Sequence, residues 1–273
     1  MMDVSKLGDE SQWFVIAGPC VIEGYDFLMQ SAETLKKITD KYKVPLIFKS
    51  SYDKANRTSI ASFRGPGIEE GLKMLQSVRQ AFDIPTLTDV HHLDEVERAA
   101  QAVDVLQIPA FLIRQTDLVL KAGQYAKVVN LKKAQFMAPS EMAKVVEKLK
   151  SIHQQNIWLT ERGTMFGYNN LVVDFRSIPE MKKNKLPVIF DGTHSVQQPG
   201  ALGTSTGGTR EHIPYLIRAA VAVGVDGLFM EVHPQPEQAK SDAATQLSFE
   251  TFERVLDQSL KIREALFLTK NKQ

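Results

Sequence analysis

Short apolar, β-rich runs recur along this chain, about eight of them, and longer amphipathic stretches separate most of them. The runs are Phe14–Ala17, Leu46–Lys49, Thr86–Val90, Val105–Ile108, Val128–Lys132, Ile157–Arg162, Pro187–Asp191 and Gly227–Val232. Helical periodicity marks Phe27–Tyr42, Glu69–Phe82, Leu93–Gln101, Thr116–Ala122, Ser140–Gln154 and Ile213–Val223. Near-continuous apolar strands alternating with helices predict a parallel sheet covered by helices. About eight such units in 273 residues fit a (β/α)8 TIM barrel, whose typical length is about 250 residues. An open doubly wound sheet is the alternative. Its dinucleotide-binding form would want G-x-G-x-x-G after the first strand, where this chain has Ala17-Gly18-Pro19-Cys20 and proline has no N–H to offer a phosphate. With no fixed-period repeat, linker or step in composition, a single barrel domain is expected over residues 1–273, with a polar N-terminal segment 1–12 and a C-terminal tail 269–273.

Charge narrows the class of partner. Lys and Arg number 33 against 32 Asp and Glu, a balance that argues against a nucleic-acid surface. The basic cluster Lys182-Lys183-Asn184-Lys185 and the tail from Lys270 therefore read as solvated surface. Met1 to Glu10 carries neither a basic region nor an apolar core, and no apolar run approaches the roughly 20 residues that span a bilayer. A cytoplasmic protein without a membrane segment is expected. The lone cysteine, Cys20, has no partner for an internal disulfide; by composition it is a small buried hydrophobe or a ligand.

Barrel enzymes build their sites at the C-terminal ends of the strands. Here nearly every run ends in a chemically capable side chain. The first reaches Cys20; the second ends at Lys49, with Lys54, Asn56 and Arg57 beyond; the third carries Asp89 and His91; and the fourth passes Gln107 on the way to Arg114. The fifth ends at Lys132, the sixth at Arg162, the seventh at Asp191 with His194 beyond, and the eighth at Glu231 with Asp242 beyond. Unpaired charge is costly inside a protein, so such residues should share a cavity with one another and with ligands. Six cations, Lys49, Lys54, Arg57, Arg114, Lys132 and Arg162, exceed the need of one small anion, and two or more anionic groups are implied. Cys20, His194, Glu231 and Asp242 form a donor set suited to Fe²⁺, Zn²⁺, Mn²⁺ or Co²⁺, although they lie in separate segments whose spacing alone proves nothing. Of the neighbours His91 and His92, one could simply start a helix, while His153 and His212 read as surface residues. Gly203–Gly208 is either an anion-binding loop or a flexible one, and it is not a P-loop.

The strings Ala17-Gly18-Pro19-Cys20, Lys54-Ala55-Asn56-Arg57-Thr58-Ser59, Arg64-Gly65-Pro66-Gly67, Gln107-Ile108-Pro109-Ala110-Phe111 and Arg114-Gln115-Thr116-Asp117 closely resemble the 3-deoxy-D-manno-octulosonate 8-phosphate synthases. So do Thr160-Glu161-Arg162-Gly163, Phe166-Gly167-Tyr168-Asn169-Asn170, Asp191-Gly192-Thr193-His194 and Glu231-Val232-His233-Pro234, and together the matches run from about residue 14 to 246. The resemblance implies a TIM-barrel homotetramer, serving lipopolysaccharide synthesis, that condenses phosphoenolpyruvate with D-arabinose 5-phosphate and water. It implies that Lys49, Lys54, Gln107, Lys132 and Arg162 hold phosphoenolpyruvate, that Asn56, Arg57 and Thr58 hold the pentose phosphate, and that Arg114 reaches that phosphate from a neighbouring subunit. The implied catalytic set is Lys54, Asn56, Asp89 and His91. Metal-independent members carry Asn where this chain has Cys20; the chain resembles the metal class, with one divalent ion held by Cys20, His194, Glu231 and Asp242.

Three positions depart from that pattern: Thr58 where Ser is common, Ala134 where Gly is commoner, and Gly192 where the metal class often has Ala, which suggests a looser backbone beneath His194. The nearest alternative is 3-deoxy-D-arabino-heptulosonate 7-phosphate synthase, which uses erythrose 4-phosphate but typically carries Pro-Arg-Thr where this chain has Ala55-Asn56-Arg57-Thr58. A sialic-acid-type synthase would want a further C-terminal domain. A catalytically dead sugar-phosphate binder would not need intact charges at nearly all strand ends.

Overall fold

Alternation along each strand fixes both the barrel and the place of its chemistry. A computed structural model of the chain describes residues 2–8, 12–57, 59–199 and 207–270, excepting the side chains of 269 and 270. Among the described residues, parallel strands β1 (Phe14–Gly18), β2 (Leu46–Lys49), β3 (Thr86–Asp89), β4 (Val105–Ile108), β5 (Val128–Lys132), β6 (Ile157–Glu161), β7 (Val188–Asp191) and β8 (Gly227–Glu231) close into a barrel in chain order, with β1 paired to β8. The predicted (β/α)8 barrel is thus the observed fold, and the predicted strands differ from the observed ones by at most one residue at either end. The helices are α1 (Tyr25–Lys41), α2 (Ile68–Phe82), α3 (Val96–Ala102), α4 (Thr116–Tyr125), α5 (Met142–Lys150), α6 (Ser177–Lys182), α7 (Ile213–Val223) and α8 (Phe249–Lys270). Two small hairpins decorate the loops: Thr164–Met165 pairs with Leu171–Val172, and Gln197–Gln198 with Gly207–Gly208.

One core lies between sheet and helices. Helix α1 buries Leu28, Ala32, Leu35 and Thr39, and α5 buries Met142, Val145, Val146 and Leu149, spacings that put one face of each against the strands. A fully buried side chain of the Leu or Val type contributes about 1.5–3 kcal/mol. The second core fills the barrel itself with Phe14, Ile16, Ile47, Leu87, Val105, Val128, Trp158, Ile189 and Phe229. Val4 and Leu7 join this inner cluster, so the polar N-terminal segment contributes two buried apolar residues to the barrel.

A strand's side chains repeat every two residues, so the layer above that apolar floor can be read directly. Stepping two residues along from Ile47 gives Lys49, from Leu87 Asp89, from Val105 Gln107, from Val128 Asn130 and then Lys132, from Trp158 Thr160 and then Arg162, from Ile189 Asp191, and from Phe229 Glu231. Register brings these ends level, with Gly18 opposite Glu231, Asp89 opposite Gln107, and Gln107 opposite Asn130. A polar layer thus sits on the apolar plug.

Helices α6 and α8 extend the predicted set. Lys182, assigned by sequence to solvated surface, is half-buried and pairs with Asp226 at 2.8 Å; the other Asp226 oxygen accepts the Val188 N–H, so this lysine braces the start of β7. His153 and His212 are exposed, as expected. Ala134 lies outside the positive-φ region, so the replacement of Gly there carries no backbone strain. Gly192 is tightly enclosed: a Cβ there would lie 2.6 Å from both Cγ1 and Cδ1 of Ile217, and its N–H donates to the Phe229 carbonyl at 3.0 Å. That enclosure overturns the expectation of a looser backbone beneath His194. Thr58, most of Gly203–Gly208 and the last residues of the tail lie outside the described residues.

Candidate active site

At the end of β1 the chain turns through Pro19 into Cys20. A Cβ on Gly18 would lie 2.0 Å from the Lys49 carbonyl oxygen, so only glycine permits this approach of β1 to β2. Cys20 is fully buried, but its Sγ faces polar groups: Ser241 Oγ at 3.0 Å and Asp242 Oδ2 at 3.3 Å. Gln246 ties this corner together, accepting the Cys20 N–H through Oε1 at 3.2 Å and donating from Nε2 to the Ser241 carbonyl at 2.8 Å. Potential ligand atoms of Cys20, Glu231 and Asp242 all lie within 4.8 Å of one another.

His194 completes the group. Asp191 Oδ1 accepts its backbone N–H at 2.9 Å, and Oδ2 lies 2.8 Å from its Nδ1. The ring therefore presents Nε2 to Glu231 at 3.6 Å and to Asp242 at 3.8 Å. A carboxylate behind a histidine in this way selects the tautomer whose other nitrogen has a free lone pair. Glu231 Oε2 is buried with no hydrogen-bond partner, while Oε1 is 2.8 Å from Lys49 Nζ. A thiol, an imidazole and two carboxylates, one with an orphaned buried oxygen, fit a borderline divalent cation. Burial, helped by the Glu231 carboxylate, pushes the Cys20 thiol up, and a cation would be needed to stabilise the thiolate there.

The cations share the same cavity, which measures about 790 Å³ and is lined by Lys49, Lys54, Asn56, Arg57, Asp89, His91, Gln107, Lys132, Arg162, His194, Glu231 and Asp242 among others. Lys132 is buried, 2.5 Å from Asp191 Oδ2 and 4.2 Å above the Phe229 ring; burial lowers its affinity for a proton and Asp191 opposes that. Arg162 donates from Nη2 to Gln197 at 2.6 Å, while its buried Nη1 has no hydrogen-bond partner. Although burial alone would lower it, the Lys54 ammonium is held well above the ordinary lysine range by the Glu231, Asp89 and Asp242 carboxylates. Beneath them, Gln107 donates to Asn130 at 2.6 Å and Asn130 to Thr160 at 2.7 Å, a belt that fixes the Gln107 amide.

On the β2 side, Arg57 gives two hydrogen bonds to the Phe63 carbonyl, at 3.0 and 2.7 Å, and Asn56 is exposed nearby. Lys240, on the loop that carries Asp242, stacks its ammonium 4.6 Å from the Phe63 ring and also lines the cavity. Asp89 accepts from Ser51 at 2.5 Å and faces His91 Nε2 at 3.0 Å. Arg114 stands apart from the cavity, 65% exposed and 3.4 Å from Glu141.

The fold thus gathers every described residue that sequence assigned to catalysis, substrate or metal except Arg114. Sequence reasoning did not assign Asn130, Thr160, Gln197, Ser241 or Gln246. The two-residue step along β5 and β6 would have found the first two; the others sit on loops with no periodic signal.

The model of the DAHP synthetase I family matches residues 2–267 of the chain. A "2-dehydro-3-deoxyphosphooctonate aldolase" from a Cyanothece species is 54% identical over 261 residues, 96% of each chain. Proteins of the same description from Citrifermentans bemidjiense and Fusobacterium nucleatum are 53% and 49% identical, over 96% and 93% of this chain and 95% and 92% of their own.

Proposed function

The chain belongs to the DAHP synthetase I family, and we propose that it condenses phosphoenolpyruvate with D-arabinose 5-phosphate and water, releasing 3-deoxy-D-manno-octulosonate 8-phosphate and inorganic phosphate. The observation that carries this reading is one cavity lined by Lys49, Lys132 and Arg162, by Glu231 and Asp242 of the cluster that includes Cys20, and by Asn56 and Arg57 of the loop after β2. The tetrose-phosphate alternative is not favoured, because the relatives that match nearly the whole chain carry the octonate description.

In this reading Lys49, Lys54, Gln107, Lys132 and Arg162 hold the phosphate and carboxylate of phosphoenolpyruvate. The free Nη1 of Arg162 supports such a role, since a buried guanidinium nitrogen without a partner is costly until an anion meets it. Asn56, Arg57 and Thr58 take the pentose phosphate, and Arg114 serves the site of a neighbouring copy in a homotetramer. The enol carbon attacks the sugar aldehyde, and Asp89 and His91, which line the same cavity, serve to protonate the new alkoxide. Water adds at carbon 2, and the hemiketal phosphate then loses phosphate by carbon–oxygen cleavage. Fixed cations lower the barrier because they are already aimed at the charge that develops. Cys20, His194, Glu231 and Asp242 would hold one divalent ion, Fe²⁺, Zn²⁺, Mn²⁺ or Co²⁺, which supplies Lewis acidity and orients the aldehyde. Among the described residues no helix is long and apolar enough to cross a membrane, and a cytoplasmic site feeding lipopolysaccharide synthesis is part of the same proposal.

The test is phosphate release from phosphoenolpyruvate with arabinose 5-phosphate, run in parallel with erythrose 4-phosphate, before and after chelation and after return of Mn²⁺, Zn²⁺ or Fe²⁺. Turnover with the pentose, lost on chelation and regained with metal, is expected. Turnover only with the tetrose would overturn the substrate, and turnover surviving thorough chelation would remove the metal.

A further inference from the structure

His91 is held between carboxylates on two elements. Its Nε2 is 3.0 Å from Asp89 Oδ2 at the end of β3, and its Nδ1 lies 3.6 Å from Oε2 of Glu95, in the 3-10 turn Leu93–Glu95. Nδ1 is buried and makes no hydrogen bond, and the charge that faces it at 3.6 Å is the Glu95 carboxylate. Glu95 is itself fixed: the same Oε2 accepts the backbone N–H of His91 at 2.8 Å, that of His92 at 3.1 Å and the Tyr52 hydroxyl at 2.8 Å. The Tyr52 ring meets the imidazole edge-on at 5.8 Å between centroids.

We propose that Glu95 is a positioning residue for the reaction: clamped by Tyr52 and two backbone N–H groups, it fixes the His91 ring against Asp89 and keeps both ring nitrogens protonated at neutral pH. A neutral imidazole would turn a lone pair toward one of the two carboxylates, and only the imidazolium has a proton for each. The charged groups around the pair agree. Burial works against the imidazolium, but Asp89 and Glu95 outweigh it and raise His91 to about 9. Asp89 stays ionised because, against burial, His91, Lys49 and Lys54 hold it well below the usual carboxylate range. Glu95 is brought down to about 2, again against burial, by His91, Tyr52 and the backbone donors. The other charged and titratable neighbours are Tyr52, which burial and Glu95 keep protonated, Arg64, which pairs with Asp53 and feels the Glu95 charge, and the adjacent His92, which is exposed.

The inference rests on the placing of His91 in the catalytic set, and its test separates the two. Ring nitrogens of the zinc-supplemented protein are followed by NMR across pH, the His91 signal being identified by its absence in His91→Gln. In the wild type both ring nitrogens should carry protons at pH 7.5 and titrate with a midpoint near 9. Glu95→Gln keeps an oxygen for the backbone donors but removes the charge, and should lower the midpoint by at least about one unit, a tenfold change. The basic limb of the kcat profile should move by the same amount while KM for phosphoenolpyruvate holds. A wild-type midpoint near 6.5, or a Glu95→Gln midpoint equal to wild type, overturns the proposal. Should Glu95→Gln not fold, Glu95→Asp, whose shorter carboxylate draws away from Nδ1, must lower the midpoint instead, and an unchanged value overturns the proposal equally. A shifted midpoint with an unshifted pH–rate profile supports the positioning of His91 by Glu95 and removes His91 from the catalytic set.

Discussion

Asp191→Asn is the substitution whose consequences the structure specifies most fully. Asp191 is wholly buried; Oδ1 accepts from the His194 N–H at 2.9 Å and the Thr193 hydroxyl at 3.1 Å, and Oδ2 faces Lys132 Nζ at 2.5 Å and His194 Nδ1 at 2.8 Å. Asparagine retains an acceptor for the first pair but turns an NH₂ group toward two donors. Breaking a buried pair from one side typically costs about 3–5 kcal/mol, because the remaining charge is stranded. Lys132 can limit that loss by giving up its proton. Taking it from its ordinary 10.5 to neutrality at pH 7.5 sets a ceiling of about 4 kcal/mol, and burial, which already lowers it, brings the ceiling down. A loss of ~3 kcal/mol corresponds to a fall in Tm of roughly 6–12 °C for a chain of this size. Independently, a histidine deprived of its carboxylate loses its tautomer and aim, an effect worth about 10–100-fold in metal affinity. The assay is thermal unfolding of the chelated protein, with zinc affinity measured by competition with a chromogenic chelator. Adding Lys132→Met to Asp191→Asn should recover stability without recovering affinity, since it removes the stranded charge but leaves His194 unsupported. If Asp191→Asn melts with the wild type and binds zinc as tightly, the reasoning is refuted.

Arg57→Ala should raise KM for the pentose phosphate by far more than KM for phosphoenolpyruvate, since in the proposed reading Arg57, on the loop after β2 and bonded to the Phe63 carbonyl, serves only the pentose phosphate; steady-state kinetics with each substrate varied would expose an equal loss. His91, raised from 6.5 to about 9, contributes stability that is fully present below pH 6.5 and is lost as pH rises through about 9. That loss is about 3 kcal/mol by the usual conversion, and urea unfolding at pH 6.5 and 9 should show it in the wild type and not in His91→Gln. Gly192→Ala should cost about 1–3 kcal/mol by overpacking against Ile217, and Ile217→Ala in the same chain should return part of it; a Gly192→Ala protein as stable as wild type would contradict the 2.6 Å approach.

How far the sequence could be read depended on whether a residue's role was set by period. Strands were legible because burial on both faces makes them continuously apolar, and site residues were legible because they follow the floor residues by steps of two, as Glu231 follows Phe229 and Asp191 follows Ile189. Helix α6 was not, being a turn and a half with Pro179 inside it, and α8 buries Phe252, Val255, Leu256 and Ser259 along a narrow stripe among many charges. Val4 and Leu7 were hidden by their polar neighbours: two apolar residues three apart carry no pattern until the barrel mouth receives them. Ser241, Gln246 and Glu95 act through loop geometry. Glu95 lies four residues after His91, but only the turn at Leu93–Glu95 brings its carboxylate back to the ring.

The pairing of charges in the polar layer explains why the site can exist before its ligands arrive. Lys49 is matched by Glu231, Lys132 by Asp191, and His91 by Asp89 and Glu95, so most of the buried charge is neutralised within the protein. Such pairs recover much of the desolvation penalty, and they hold each side chain in one place. Among the groups left over are one oxygen of Glu231 and one nitrogen of Arg162, both buried and both without a hydrogen bond. The first wants a cation and the second an anion. A cavity with one such deficit of each sign suits a metal beside an anionic substrate, and ligand binding then satisfies groups that folding alone left at a cost.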